Sequence, residues 1–335
     1  MPRSGENSPS NPAPAGFASP TDRGWGTEST RRGTGPDPPS NLHWHAVPLG
    51  RDPLVSRKVT KVELESREYE VDGIHVSRTG PGHEAQAHPV VLVHGGCHAA
   101  WTWERYVPFF VSRGWECHAL TWRGRGQSAR LSERDALRRS IEDVADDIEA
   151  VAASLSAPPV VMAHSMGGLA ALKYAERNAH AGLVLLTPVL PAEVHPASVG
   201  LPVDLDSMWG PPPFETTREL FFSGMDEEEA RIYHGMLVAE SPRAVTQAST
   251  ESRVSIDPVK ISGPGLVVAA EFDLLTPPAD VHALAGLLGL DYRYAGGFGH
   301  GVTLDRNWES LAQALQAWLA VHVSDATRGR VAVAP

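Results

Sequence analysis

The chain has 335 residues, with 29 Lys and Arg against 40 Asp and Glu, and a formal net charge of −11. That length allows one large domain or two small ones. The acidic balance argues against a nucleic-acid binder, because phosphate contacts need a clustered basic surface. Only two cysteines occur, Cys97 and Cys117, so a disulfide framework is not expected and their spacing fits no zinc site. Both read as small apolar residues near the ends of buried strands.

No apolar run reaches the ~18 residues a membrane span needs, and no hydrophobic segment follows the first basic residue, so a cytoplasmic protein is expected. Residues 1–57 are rich in Pro, Gly, Ser and charge. Such a segment cannot bury enough apolar surface to offset its ordering entropy and reads as a disordered tail. His43-Trp44-His45 within it lacks further ligands nearby and reads as incidental. A folded domain is expected over 58–323, and a short flexible tail over 324–335.

Thr60–Ser66 alternates polar and apolar residues as an edge strand does, and Tyr69–Val76 follows with a turn at Asp72-Gly73, which predicts an antiparallel hairpin. The pattern then changes to continuous apolar runs, the mark of parallel strands buried on both faces. These are Pro89–His94, Glu116–Leu120, Val160–Ala163, Gly182–Leu186 and Gly265–Ala270. Pro158-Pro159 ends the helix before the third of them. Helical spacing appears between them. Ser140–Leu155 carries Ile141, Val144, Ile148 and Val151 on one face, and Gly168–Arg177 and Leu311–Val321 read likewise. Alternating strands and helices predict an α/β fold, a mostly parallel central sheet flanked by helices. From about 191 to 258 no buried strand occurs, but Met208, Trp209, Phe214, Phe221, Phe222, Met225, Tyr233 and Met236 do. An insertion of this size predicts a helical cap over the strand ends, with most of these side chains forming its own small core.

Ligands of open α/β sheets bind beyond the carboxyl ends of the strands. There the sequence places Ala163-x-Ser165-x-Gly167, a serine on a tight turn with small neighbours, as a nucleophile elbow requires. A serine hydroxyl needs a base to become nucleophilic. His300 lies in a glycine loop before the last helix, and Asp273 follows the last clear strand, with Glu271 as an alternative acid. His94-Gly95-Gly96-Cys97-His98 leaves backbone N–H groups free to face a cavity, as an oxyanion hole needs. Catalytic roles are therefore expected for Ser165, Asp273 and His300, with Gly96 and Met166 as oxyanion donors and Cys97 competing with Gly96. Cys97, His98, Trp209, Phe221 and Phe222 are candidate pocket residues. His94 reads as shaping its loop, and the side chain of His164 is expected to point away from the nucleophile. Trp101 and Trp103 are open to walling the pocket or to packing, and Arg123–Gly126 reads as a tight loop with an anchoring arginine.

Residues from about Lys61 to Val323 resemble the α/β-hydrolase fold superfamily in its compact capped branch. The resemblance rests on His94-Gly95, Arg123-Gly124-x-Gly126-x-Ser128, the Ser165 elbow, Asp273-x-x-x-Pro277 and Gly299-His300, with Ser, Asp and His in that order. His94–Trp103 further looks like plant methylesterases and hydroxynitrile lyases. Thr121 stands where the family usually has Asp, and Ala270 where it often has Gly. The resemblance implies a serine hydrolase of a carboxylic ester, thioester or lactone, acting through an acyl-enzyme without cofactor or metal on a small apolar or aromatic substrate. An acyltransferase, a cofactor-free dioxygenase or a non-catalytic small-ligand binder is the alternative. Gly301 beside His300 counts against hydroxynitrile lyases, which carry lysine near that histidine, and against carbon–carbon bond hydrolases, which often carry tryptophan. The oligomeric state is not fixed by the sequence.

Overall fold

A computed structural model describes residues 65–82, 85–196, 199–249 and 254–323. The tails expected at 1–57 and 324–335, the domain start at 58, and most of the strand expected over Thr60–Ser66 lie outside these residues. Among the described residues, eight strands form one sheet in the order β1-β2-β4-β3-β5-β6-β7-β8. The strands are β1 (Glu65–Val71), β2 (Ile74–Gly80), β3 (Val90–Val93), β4 (Cys117–Thr121), β5 (Val160–His164), β6 (Gly182–Leu186), β7 (Gly265–Ala270) and β8 (Asp291–Ala295). β1 and β2 form the expected hairpin, turning at Asp72-Gly73, and β2 also runs antiparallel to β4. Every other pairing is parallel.

Side chains leave a strand alternately to its two faces, so a strand covered on both sides must be apolar throughout. β3 and β5 show this directly. Val91, Val93, Val161 and Ala163 enter one core, while Val90, Leu92, Val160 and Met162 enter the other. The first core is closed by α3 (Ile141–Ala153), α4 (Met166–Ala175) and α8 (Pro278–Leu288); the second by α1 (Tyr106–Val111) and α9 (Trp308–His322). In α3, Ile141, Val144, Ile148 and Val151 are all buried, as their spacing predicts. Ser140 and Asp143 close a reciprocal capping box at its start, which fixes where the helix begins.

α1, α2 (Glu133–Arg138), α8 and β8 have no counterpart in the sequence reading. Each is short or weakly patterned. β8 leaves Asp291, Arg293 and Tyr294 exposed at the sheet edge, so it carries no apolar run.

The segment after β6 contains α5 (Phe214–Leu220), α6 (Glu227–His234) and α7 (Pro242–Ser249). Trp209, Phe221, Phe222, Met225, Tyr233 and Leu237 are buried together with Cys97 and Leu304 from the sheet side. The insertion therefore packs its aromatics onto the loops that follow β3 and β8, covering these carboxyl ends of the sheet as a cap.

Candidate active site

β5 runs into Ser165, whose backbone adopts φ +53° and ψ −122°, and α4 begins at the next residue. A non-glycine residue with positive φ is strained, and the strain here turns the serine out of the strand. Gly167 makes the turn feasible, because a Cβ there would run into the carbonyl oxygen of His94. Ala163 in place of the usual first glycine lies within the sheet and is fully buried.

Ser165 Oγ lies 2.8 Å from His300 Nε2, and His300 Nδ1 lies 2.8 Å from Asp273 Oδ2. A carboxylate accepts, so Nδ1–H donates to Asp273 and Nε2 is left to accept from the serine hydroxyl. Asp273 also accepts from the N–H groups of Leu275 and Thr276 on Oδ1 and from Thr276 Oγ1 on Oδ2. Glu271, the alternative acid, instead faces the surface and accepts from Gly297 N–H. The main chain of His300 is fixed as well, since its carbonyl accepts from Thr187 Oγ1 and from His164 Nε2, each at 3.0 Å. All three members of the line are buried.

Of the residues that line the cavity on either side of the serine, Gly96 and Met166 have backbone N–H groups with no acceptor among the described residues. Cys97, the competing donor, is taken: its N–H donates to Glu240 Oε2 at 3.0 Å. Cys97 itself sits at φ +61° in the loop that follows β3, near the strand end as expected, and burial pushes its thiol pKa up.

The cavity beside Ser165 is lined by Gly96, Cys97, His98, Trp209, Phe221 and His300, with further apolar walls from Val189, Leu201, Val245 and Leu275. It measures about 580 Å³ to its open mouth, but only about 60 Å³ is wide enough for the centre of a water molecule, so it is narrow. Phe222, expected as a pocket residue, is not in its wall. It is buried in the cap core between Phe221 and Tyr233, because adjacent residues leave the chain in different directions.

His164 corrects a second expectation. Its ring lines the cavity, 5.1 Å from the ring of His300, because the turn at Ser165 breaks strand alternation. Burial holds His164 and His94 well below the ordinary histidine range and lowers His98 to about 4. All three are therefore neutral. His94 shapes its loop, as expected: Nδ1–H donates to Gly95 O at 2.8 Å and Nε2 accepts from Trp122 N–H at 3.4 Å. Trp103 is wholly buried in the core and Trp101 stacks on Tyr233, so neither walls the cavity. Thr121, in place of the family's Asp, accepts from Ala100 N–H at 3.1 Å.

The largest omission of the sequence reading is Glu240. It is buried in the cap and lines the cavity. Its Oε1 pairs with Arg125 Nη2 at 2.5 Å, so the anchoring arginine expected in 123–126 reaches across to the cap. Arg123 is anchored separately, to buried Asp147 at 2.7 Å. In sequence Glu240 is a single acid between Ala239 and Ser241, with nothing to mark its partner far upstream.

Residues 90–317 match the model of the Alpha/beta hydrolase family. Protein phosphatase methylesterase 1 of Bos taurus is 35% identical over 92 residues, 27% of this chain and 24% of that protein. The chain thus aligns with about a quarter of that relative's length. Non-heme chloroperoxidase of Burkholderia pyrrocinia is 26% identical over 219 residues, 58% of this chain and 77% of that protein. Among solved structures, the monoacylglycerol lipase of Paleococcus ferrophilus has a TM-score of 0.57 at 20% identity, covering 76% of this chain and 99% of that one. Among the described residues no helix is long and apolar enough to cross a membrane.

Proposed function

The chain belongs to the alpha/beta hydrolase family, and on that premise we propose that it is a serine hydrolase. It cleaves an uncharged carboxylic ester, thioester or lactone through an acyl-enzyme on Ser165. The observation that carries this reading is the hydrogen-bonded line from Ser165 Oγ through His300 to Asp273, with 2.8 Å at each step. His300 Nε2 takes the serine proton as Oγ attacks the carbonyl carbon, then returns it to the leaving alcohol or thiol. Asp273 holds the imidazole in the required tautomer and stabilises the imidazolium. The N–H groups of Gly96 and Met166 receive the oxyanion. Water, activated by the same histidine, then releases the acid.

The walls favour neutral acyl groups. No Lys or Arg lines the cavity, and the carboxylate of Glu240 is already paired with Arg125, so an anionic substrate would bury its charge against largely apolar walls without a counter-ion. The narrow free space favours short acyl or small aryl groups. The neighbours named above include a methylesterase and a lipase, which supports an ester as the substrate class. The cap backbone closes over Gly301 and leaves no space for the lysine or tryptophan of other branches.

A fluorophosphonate probe tests the chemistry. The expected result is one adduct, on Ser165, and loss of p-nitrophenyl ester turnover by about 10⁴-fold or more in Ser165→Ala. A folded protein without an adduct leaves a ligand-binding pocket in place of the enzyme. A panel of esters graded by chain length and charge then reads the pocket, with short neutral acyl groups expected to turn over fastest.

A further inference from the structure

Glu240 has the geometry of a residue that acts through another. Its Oε2 accepts from Cys97 N–H at 3.0 Å, and its Oε1 accepts from Ser241 N–H at 2.9 Å and from Arg125 at 2.5 Å. Arg125 in turn donates through Nη1 to His98 O at 3.1 Å. Cys97 O accepts from Val238 N–H of the cap at 3.0 Å. The backbone of Trp209 and Glu240 is bridged in both directions, which holds the carboxylate in register. The loop that follows Gly96 is thus gripped at Cys97 N, Cys97 O and His98 O. Two of these three bonds come from the cap and the third from the arginine that neutralises the cap's carboxylate.

Cys97 needs such a grip, because its positive φ is unfavourable for a side chain with a Cβ. Were its N–H free, it would compete with that of Gly96 for the oxyanion, and the loop could settle with the wrong donor inward. We infer that the buried Arg125–Glu240 pair is a positioning device that sets the oxyanion loop from the cap, so that the hole is complete only with the cap docked. The inference rests on the acyl-transfer reading above. Glu240 is not a contact for substrate in this scheme, since both its oxygens are already engaged by the loop, Arg125 and Ser241.

The experiment compares p-nitrophenyl butyrate with its thiono analogue, in which sulfur replaces the carbonyl oxygen and fits an oxyanion hole poorly. Glu240→Gln keeps the volume but removes the charge that fixes Arg125. It is expected to lower kcat by roughly 10- to 100-fold with KM within about threefold. The ester-to-thionoester rate ratio is expected to fall at least about fivefold with it. Tyr233→Phe, which releases a different cap contact, the bond to Glu104, is expected to keep both values. The double variant Arg125→Met, Glu240→Met removes the buried charges together and still lacks the acceptor for Cys97, so it is expected to repeat the loss even if Glu240→Gln does not fold. Retention of kcat in either folded variant, or a fall in kcat with the ratio unchanged, overturns the inference while leaving the hydrolase reading intact. A wild-type protein inert to both esters and to the fluorophosphonate overturns the two together.

Discussion

At the histidine loop the cap meets the core mainly through close backbone packing, whereas at the oxyanion loop a buried ion pair joins the backbone bond from Val238 N–H to Cys97 O. Phe221 O lies where any side chain at Gly301 would stand, Ser223 sits against Gly299, and Gly224 O accepts from Arg306 N–H and Nε. At the other contact, the Arg125–Glu240 pair is buried on both sides and bonded to Cys97 and His98. The difference matters because the two kinds of contact fail differently. Close backbone packing is indifferent to pH and charge but intolerant of volume. A buried ion pair is a weak net stabiliser, since desolvation offsets its attraction, yet breaking it leaves an uncompensated charge. Stability alone therefore gives little reason to keep the pair, and the placement of the loop gives a good one.

The largest expected stability effect comes from breaking the charged contact on one side. Arg125→Met strands the Glu240 carboxylate and is expected to cost about 3–5 kcal/mol, a fall in Tm of roughly 10 °C for a domain of this size. Replacing both partners by methionine is expected to recover most of that loss in a thermal melt while activity stays low. Recovery of both would erase the distinction between the contacts, because the pair would then serve only as packing.

Acid is expected to act next, and on the same side of the cavity. His94, His98 and His164 are held neutral by burial, with His98 lowered to about 4. Below the unfolded value of about 6.5 the unfolded chain binds a proton at each ring and the folded chain does not. Their contribution is thus complete above pH 6.5 and is lost as pH falls, by roughly 3 kcal/mol for His98 alone on reaching pH 4. Melts between pH 7.5 and 4.5 are expected to show this slope, and His98→Phe is expected to flatten it. An unchanged slope in that variant would place the acid sensitivity elsewhere.

These contacts also mark the limit of what could be read from the sequence. The five buried strands, the turn at Ser165 and the order of serine, aspartate and histidine are local patterns, and each stands in the structure close to its expected position. β8 was not legible because an exposed edge strand needs no apolar run. Glu240 was not legible for a deeper reason. A lone glutamate reads as solvent-facing, and only the fold brings Arg125 and Cys97 N–H to bury it. Phe222 failed in the opposite sense: an aromatic in a cap looks like pocket wall, but which of two neighbours faces the cavity depends on cap packing.

A smaller effect is expected at the backbone contact. Gly301→Ala sets a methyl group against Phe221 O, a backbone atom that cannot rotate aside. The cap must shift to admit it, and overpacking of this kind costs about 1–3 kcal/mol. Because the oxyanion loop is held separately, the variant is expected to raise KM more than it lowers kcat. A selective fall in kcat would mean that the two contacts are mechanically one.

The smallest effect separates backbone from side chain within that same contact. A Cβ at Gly299 meets Ser223 Oγ first, and a serine hydroxyl can leave by rotating about χ1. Gly299→Ala is therefore expected to cost less than about 1 kcal/mol, within the range of an off-rotamer adjustment, and to leave ester turnover within twofold. Its difference from Gly301→Ala, two positions along the same loop, isolates the rigidity of the Phe221 carbonyl. If the two variants melt together, the cap yields as easily over a carbonyl as over a hydroxyl. The histidine loop would then be held by the line from Ser165 to Asp273 and not by the cap above it.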